Sequence, residues 1–189
     1  MNRFLRTTNY KLRTNRGFTL IELLVVIAII SLLAAVVLMS VDQARKNTRD
    51  KVRASDLEQI KAAMHIYAVN NRTYQIAGAG ANGEGWFAYE NGSSYPESIA
   101  DELVDLGLLT TVMHDPLVPA GSAGSGTQRQ YMNYFKTGGA PDGTCLFAHM
   151  ENPNDSHADA YEAALNSIPS SLHNSLTNSY YMNYGTCTN

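Results

Sequence analysis

The feature that most limits how this chain can fold is an apolar run at residues 23–41, in which Ser31 and Ser40 are the only polar residues. Its length is close to the ~20 residues that a helix needs to cross a bilayer. Five basic residues precede it, Arg3, Arg6, Lys11, Arg13 and Arg16, with no acid among them, and this favours an N-terminus held in the cytoplasm. Basic residues also follow, but they alternate with Asp42, Asp50, Asp56 and Glu58. A cleaved secretory signal would be shorter and would end on small residues. Here Leu38 or Asp42 would stand where a cut after Ser40 or Ala44 requires a small one. Glu22 stands at the front of the run. A charge within a spanning helix costs roughly 2.5–3.5 kcal/mol on insertion scales, so it needs a partner.

The stretch "RGFTLIELLVVIAIISLLAAV" supplies one through a resemblance. A basic leader, Gly17, Phe18 and then Glu22 inside the apolar run resemble the N-terminal signal of type IV pilins and type II secretion pseudopilins. The resemblance implies that a prepilin peptidase removes residues 1–17 on the cytoplasmic side, cutting between Gly17 and Phe18, and methylates the new N-terminus. That cut would create an α-amino group four residues from Glu22, one helical turn away. In the family, Glu22 of an incoming subunit would meet the Phe18 amine of a subunit already in the filament. In low dielectric such a pair fixes register more than it adds affinity. The alternative is a carboxylate that rests at the membrane interface or is protonated.

No Pro or Gly interrupts residues 18–71, which predicts one helix of about 54 residues, about 80 Å long at 1.5 Å per residue. Residues 18–41 form its transmembrane and filament-core half, and residues 42–72 its amphipathic half. Val52, Leu57, Ile60, Met64 and Tyr67 make an apolar stripe, with Arg49, Lys51, Arg53, Asp56, Glu58 and Lys61 on the remaining surface. His65 reads as a surface or rim residue. "NNRTY" ends the helix, and residues 73–189 form the extracytoplasmic globular domain.

Within that domain "SSYPESIADELVDLGLL" predicts a short helix, with Ser94 and Glu97 as a capping box, Ile99, Leu103 and Leu106 as its face, and Gly107 at its C-terminal turn. Asp115-Pro116 breaks the chain, and "PAGSAGSGTQ" reads as a flexible loop. Three strands follow, "QRQYMNYFKT", "TCLFAHME" and "NSYYMNYGTC", the first two joined by the turn "GGAPDG". Leu146, Ala148 and Met150 alternate onto one face for the long helix to cover. The fold class is therefore α+β and pilin-like: one long N-terminal helix, half of it transmembrane, packed on a small antiparallel sheet of about three strands.

Cys145 begins the second of these strands and Cys187 ends the third, and antiparallel neighbours place such positions side by side. A disulfide is allowed outside the cytoplasm, and many pilins close a C-terminal loop in this way. Two buried free thiols are the competing reading. The segment between the last two strands is expected to hold a helical turn or two from about Ser156. Its Asp155, His157, Asp159 and Glu162 form the densest group of potential ligands. Some pseudopilins hold calcium near the sheet, so Asp142, Glu151, Asn154 and Asp155 are weak calcium candidates, with solvated cap acids as the other reading. No cofactor is otherwise implied.

Gly78, Gly80 and Gly83 satisfy G-x-G-x-x-G, but a helix precedes them where a nucleotide fold needs a strand, so the segment reads as a mobile connecting loop. The formal charge is −3, yet without the first seventeen residues nine basic residues face seventeen acidic ones, a balance of −8. That argues against a basic nucleic-acid surface. No G-x-S-x-G, P-loop or H-E-x-x-H motif is present, so an enzyme is not expected. The expected function is a structural subunit of a type IV pilus or type II secretion pseudopilus. It would be single-pass in the cytoplasmic membrane, with its C-terminal domain outside, and later part of a periplasmic or extracellular filament. The resemblance implies self-association, other pilins or pseudopilins, the prepilin peptidase, an inner-membrane assembly platform with its ATPase, and membrane lipid before assembly. The alternative is an adhesive or DNA-uptake minor pilin that binds a ligand through its C-terminal loops, using Trp86 and the tyrosines.

Overall fold

The computed structural model describes residues 17–76, 80, 82–93 and 95–188. The leader before Gly17, and Gly78 and Ser94 of the motifs above, lie outside the described residues. The chain divides into two compact units, Met1–Asp42 and Gln43–Asn189. Helix α1 (Leu20–Asn71) contributes to both.

In the first unit every described residue through Val41 is exposed. The helix there is long and apolar enough to cross a membrane. Water could not satisfy such a surface, whereas hydrocarbon or neighbouring apolar helices could.

In the second unit α1 turns one face inward. Leu57, Ile60 and Met64 are fully buried and Tyr67 packs at the edge of the same cluster. Burying each of these aliphatic side chains contributes about 1.5–3 kcal/mol relative to exposure. The expected stripe is wrong at two positions. Val52 is 42% exposed, while Arg53, expected on the solvent side, is 1% exposed. Positions 53, 57, 60 and 64 are spaced four, three and four apart, so the inward face runs through the arginine. The helix stops at Asn71, and Arg72 enters the left-handed region (φ 59°) with its N–H on the Ala68 carbonyl at 2.7 Å.

The sheet has four strands where about three were expected. Its order is β1 (Gly85–Trp86), β4 (Met132–Phe135), β5 (Thr144–Ala148), β6 (Tyr184–Cys187), and every pairing is antiparallel. β1 escaped notice because two residues carry no alternation. β5 is buried on both faces. Leu146 and Ala148 join the α1 cluster as expected, and Cys145 and Phe147 face a second cluster built on Tyr161, Ala164 and Leu165. Met150 is buried but lies beyond the end of β5.

That second cluster exists because α3 (Asp155–Leu165) is a full helix of eleven residues, longer than the turn or two expected. Asn154 accepts the His157 N–H at 3.0 Å, and the His157 ring accepts the Asn154 N–H in return, an Asn/His version of the capping box. A 3₁₀ turn at Ser170–Leu172 and a π-helical turn at Ser175–Ser179 lead from α3 to β6. Gly185 of β6 lets α3 approach, since a Cβ there would sit 2.7 Å from that of Ala164.

α2 (Ile99–Asp105) is capped by Ser98, which accepts the Asp101 N–H at 3.0 Å, four residues later than the expected cap. At its end Leu108 and Gly107 (φ 69°) donate to Leu103 and Val104, the paired bonds of a Schellman turn. The segment expected as a flexible loop contains a two-stranded ribbon, β2 (Gly124–Ser125) with β3 (Gln128–Arg129). The glycine-rich connection is tied down at its described residues. Gly80 donates to Glu97 O at 2.8 Å, and Gly83 O accepts from Asn133 Nδ2 at 2.6 Å.

Candidate functional site

Two constellations stand out, one in each unit. The first is the start of α1. Thr19 precedes the first helical residue, and its N–H and hydroxyl both donate to Glu22 Oε2, at 2.8 and 2.7 Å, while the Glu22 N–H donates to Thr19 Oγ1 at 3.3 Å. This is the reciprocal T-x-x-E capping box, and it satisfies donors that a helix leaves bare at its first turn. The carboxylate also lies at the positive end of the helix dipole. Phe18, 92% exposed, and Gly17 lie immediately before it. The first helical residue is therefore Leu20, two positions later than the expected start. Glu22 has a partner within its own chain, a role that was legible as T-x-x-E and that the sequence reading passed over.

The second constellation is buried in the globular unit, and sequence reasoning missed it. Arg53 reaches three carboxylates. Its Nε and Nη2 donate to the two oxygens of Asp115 at 2.6 and 3.1 Å, and its Nη1 donates to Asp50 at 2.8 Å and Glu151 at 2.9 Å. Arg49 grips Glu151 in parallel, at 2.6 and 2.7 Å. Backbone donors complete the set. Asp50 accepts the N–H groups of Glu151 and Asn152, and Asp115 Oδ1 accepts that of Leu117, the turn that Asp-Pro makes. The Asp115 N–H in turn donates to Gln130 Oε1 at 2.8 Å. Among the described residues no buried side-chain nitrogen or oxygen lacks a hydrogen bond.

These contacts set the protonation states. The bidentate Arg49 bond, helped by Arg53, holds the Glu151 carboxyl down at about 2 against the opposing effect of partial burial. Burial alone would make Arg53 easier to deprotonate, but its bonds to Asp115, Glu151 and Asp50 outweigh that and keep it charged. One turn along α1, Asp56 accepts the Tyr131 hydroxyl at 2.8 Å. Burial raises the Asp56 carboxyl, with the Tyr131 bond opposing. Burial and the Asp56 charge raise the Tyr131 phenol.

The expected site residues sit as follows. Cys145 and Cys187 are directly opposite across β5 and β6 and are joined by a disulfide. Glu151 is committed to the two arginines, Asn154 caps α3, Asp155 opens that helix, and Asp142 lies in the turn before β5. Among the described residues no three His, Cys, Asp or Glu side chains gather as a metal would require. His65 is exposed, with its ring nitrogen 2.9 Å from the Tyr74 hydroxyl. Trp86 is only 9% exposed, packed edge-on against Tyr180 with the Arg129 guanidinium 5.7 Å from its ring centre. Trp86 is thus part of the second core, Tyr180 packs at its edge half-buried, and the neighbouring Tyr181 is 45% exposed.

Comparison with known proteins bears on the first constellation. Residues 12–38 match the family described as the prokaryotic N-terminal methylation motif. Over 63 residues, 33% of this chain and 48% of the relative, the chain is 43% identical to the major component of the type IV wide pilus of Thermus thermophilus. Over 62 residues, 33% of this chain and 44% of the relative, it is 37% identical to the type II secretion system core protein G of Pseudomonas aeruginosa. The chain thus spans about half the length of the curated relatives it matches. No solved structure matches it significantly. The chain carries the methylation motif, resembles type IV pilins and type II secretion pseudopilins, and has a pilin-like α+β fold.

Proposed function

We propose that this chain is a structural subunit of a type IV pilus or type II secretion pseudopilus and not an enzyme. The observation that carries the reading is Glu22, a carboxylate at the head of an otherwise apolar, wholly exposed helical surface that coincides with the methylation motif. Before assembly that surface lies in the cytoplasmic membrane, with the N-terminus in the cytoplasm and the globular unit outside. A prepilin peptidase removes the leader after Gly17 and methylates Phe18. The new amine then gives an acceptor carboxylate on another subunit its counter-ion, and the apolar helices exchange lipid for each other. An assembly platform with its ATPase supplies the work of extraction, and other pilins or pseudopilins share the filament. Cation binding is not needed for this reading.

In the unprocessed chain the Phe18 nitrogen is an amide and Glu22 is held by Thr19. Cleavage replaces a neutral neighbour with a charged one at the same turn. Intact-mass analysis of protein from cells with and without the peptidase tests the first step, the expected product beginning at Phe18 with one added methyl group. Glu22→Ala is expected to leave an exported monomer that assembles poorly. Normal filaments from that variant would falsify the register role.

A further inference from the structure

We propose that the cleft between α1 and the start of α3 binds the phosphate of a membrane phospholipid. The cleft holds about 330 Å³ and is lined by Asn47, Asp50 and Lys51 from α1 and by Asn152, Asn154 and His157 from the segment that enters α3. Small-ligand sites run from roughly 300 Å³ upward. What this one can hold follows from which polar atoms are already committed. Asn154 Oδ1 accepts the His157 N–H and the Ser156 hydroxyl, so its side chain has only N–H groups left to offer. His157 Nδ1 accepts the Asn154 N–H, which puts the ring proton on Nε2. The ring stands edge-on to Tyr184, with centres 5.3 Å apart. Asn47 Oδ1 accepts from Gln43 and Asn152, leaving Nδ2 as a donor. Lys51 is exposed and has no ion-pair partner among the described residues.

Internal bonds have thus consumed most side-chain acceptors of the lining and left donors: Lys51 Nζ, Asn47 Nδ2, Asn154 Nδ2 and His157 Nε2. The carboxylate that lines the cleft is already neutralised. Asp50 is 5% exposed and accepts from Arg53 at 2.8 Å and from the backbone N–H groups of Glu151 and Asn152. Asn152 gives its Nδ2 to Asn47, so its Oδ1 stays open and suits a headgroup hydroxyl or ammonium. A wall of donors with one free cation fits an oxyanion, because hydrogen bonds to an ionised acceptor are about twice as strong as neutral ones. The position of the cleft selects a phospholipid among oxyanions. Asn47 follows Val41, the last residue of the apolar run, by six residues, a rise of roughly 9 Å along α1. Headgroups occupy about 5–8 Å beyond the hydrocarbon on each side of a bilayer. The donors therefore meet the phosphates of the outer leaflet while the apolar run lies in lipid, and the inference rests on that membrane reading. It also gives a role to Lys51, a cation after the span that the buried ion cluster does not use. Extraction into a filament has to break the contact, so release of lipid becomes a step of assembly.

The test uses the full chain in dodecyl maltoside micelles, which contain no phosphate. Dioleoylphosphatidylglycerol is titrated in and followed by NMR, on the side-chain amide signals of Asn47 and Asn154 and on the His157 ring. Saturable shifts are expected, and none with dioleoylglycerol, the same lipid without its headgroup phosphate. Asn47→Asp keeps the acceptor for Gln43 and Asn152 but replaces the donor with a carboxylate. It should weaken binding by at least about tenfold, the cost of losing one hydrogen bond to a charged group. Lys51→Gln should do the same, whereas Lys61→Gln, at a lysine already paired with Glu58, should change nothing. Trp86 fluorescence and the melting midpoint report whether each variant is folded. No saturable shift, equal shifts with dioleoylglycerol, or full affinity in both Asn47→Asp and Lys51→Gln would overturn the proposal. Saturation by inorganic phosphate at the same concentration as the lipid would give the cleft to a free anion and overturn the lipid assignment. A chain that stays monomeric without detergent would refute the membrane reading beneath it, whereas a chain held in micelles that ignores the lipid refutes the cleft assignment alone.

Discussion

Replacing Arg53 by methionine isolates what the buried ion cluster contributes. The substitution keeps a long, flexible, apolar stem and removes a guanidinium that donates to Asp115, Asp50 and Glu151 from a position 1% exposed. Glu151 keeps Arg49, but Asp115, itself 1% exposed, loses its only charged partner among the described contacts. Removing one member of a buried pair costs about 3–5 kcal/mol, because the other charge stays desolvated. Against a typical domain stability of about 5–15 kcal/mol that is a large fraction. Trp86 is the sole tryptophan and lies in the second core, so its fluorescence reports unfolding of the globular unit. With a urea dependence of about 2 kcal/mol per molar, the midpoint should fall by about 2 M. Adding Asp115→Asn to the Arg53→Met background should recover about 1 kcal/mol or more by removing the stranded charge. A fall below about 0.5 M, worth no more than an exposed ion pair, would refute the desolvation reasoning.

Three further outcomes follow from the same geometry. Glu151 has a folded-state pKa near 2 against an ordinary 4.5, so its contribution to stability is complete above pH 4.5 and is lost as pH falls towards 2; urea midpoints measured from pH 7 downward should drop in that window. Reducing the Cys145–Cys187 bond, or making Cys187→Ser, opens a crosslink between residues 42 apart and should cost up to about 4 kcal/mol, read as a lower melting midpoint. Gly185→Val drives a side chain into Ala164 and Phe147, so it should cost about 1–3 kcal/mol and shift the α3 amide signals in NMR spectra; an unshifted melt would mean α3 can retreat freely.

The sequence alone determined the parts of this protein that depend on local pattern. An apolar run long enough for a bilayer, a helix without Gly or Pro to residue 71, and strands marked by aromatic and β-branched residues were legible because a helix or strand repeats its rule every few residues. The partnership of Cys145 with Cys187 was open to a topological argument, since hairpin order limits which strand ends can meet. Glu22 was conspicuous because a carboxylate beside nineteen largely apolar residues violates the solvent rule for that run.

Only the tertiary structure decided where charge is buried. Arg53 looked like solvated helix surface because its neighbours are charged, and its partners Asp115 and Glu151 lie 62 and 98 residues away. A period of 3.6 placed it on the inward face, but an unpaired arginine there is unfavourable, and no local pattern reveals that three acids converge on it. α3 was similarly hidden. Its inward residues Tyr161, Ala164 and Leu165 are too few to declare a face, and the helix is stabilised by a sheet surface that exists only once β5 and β6 have paired. Long-range packing fixes such features because desolvation depends on the whole surroundings of a group, whereas periodicity depends only on its neighbours in the chain.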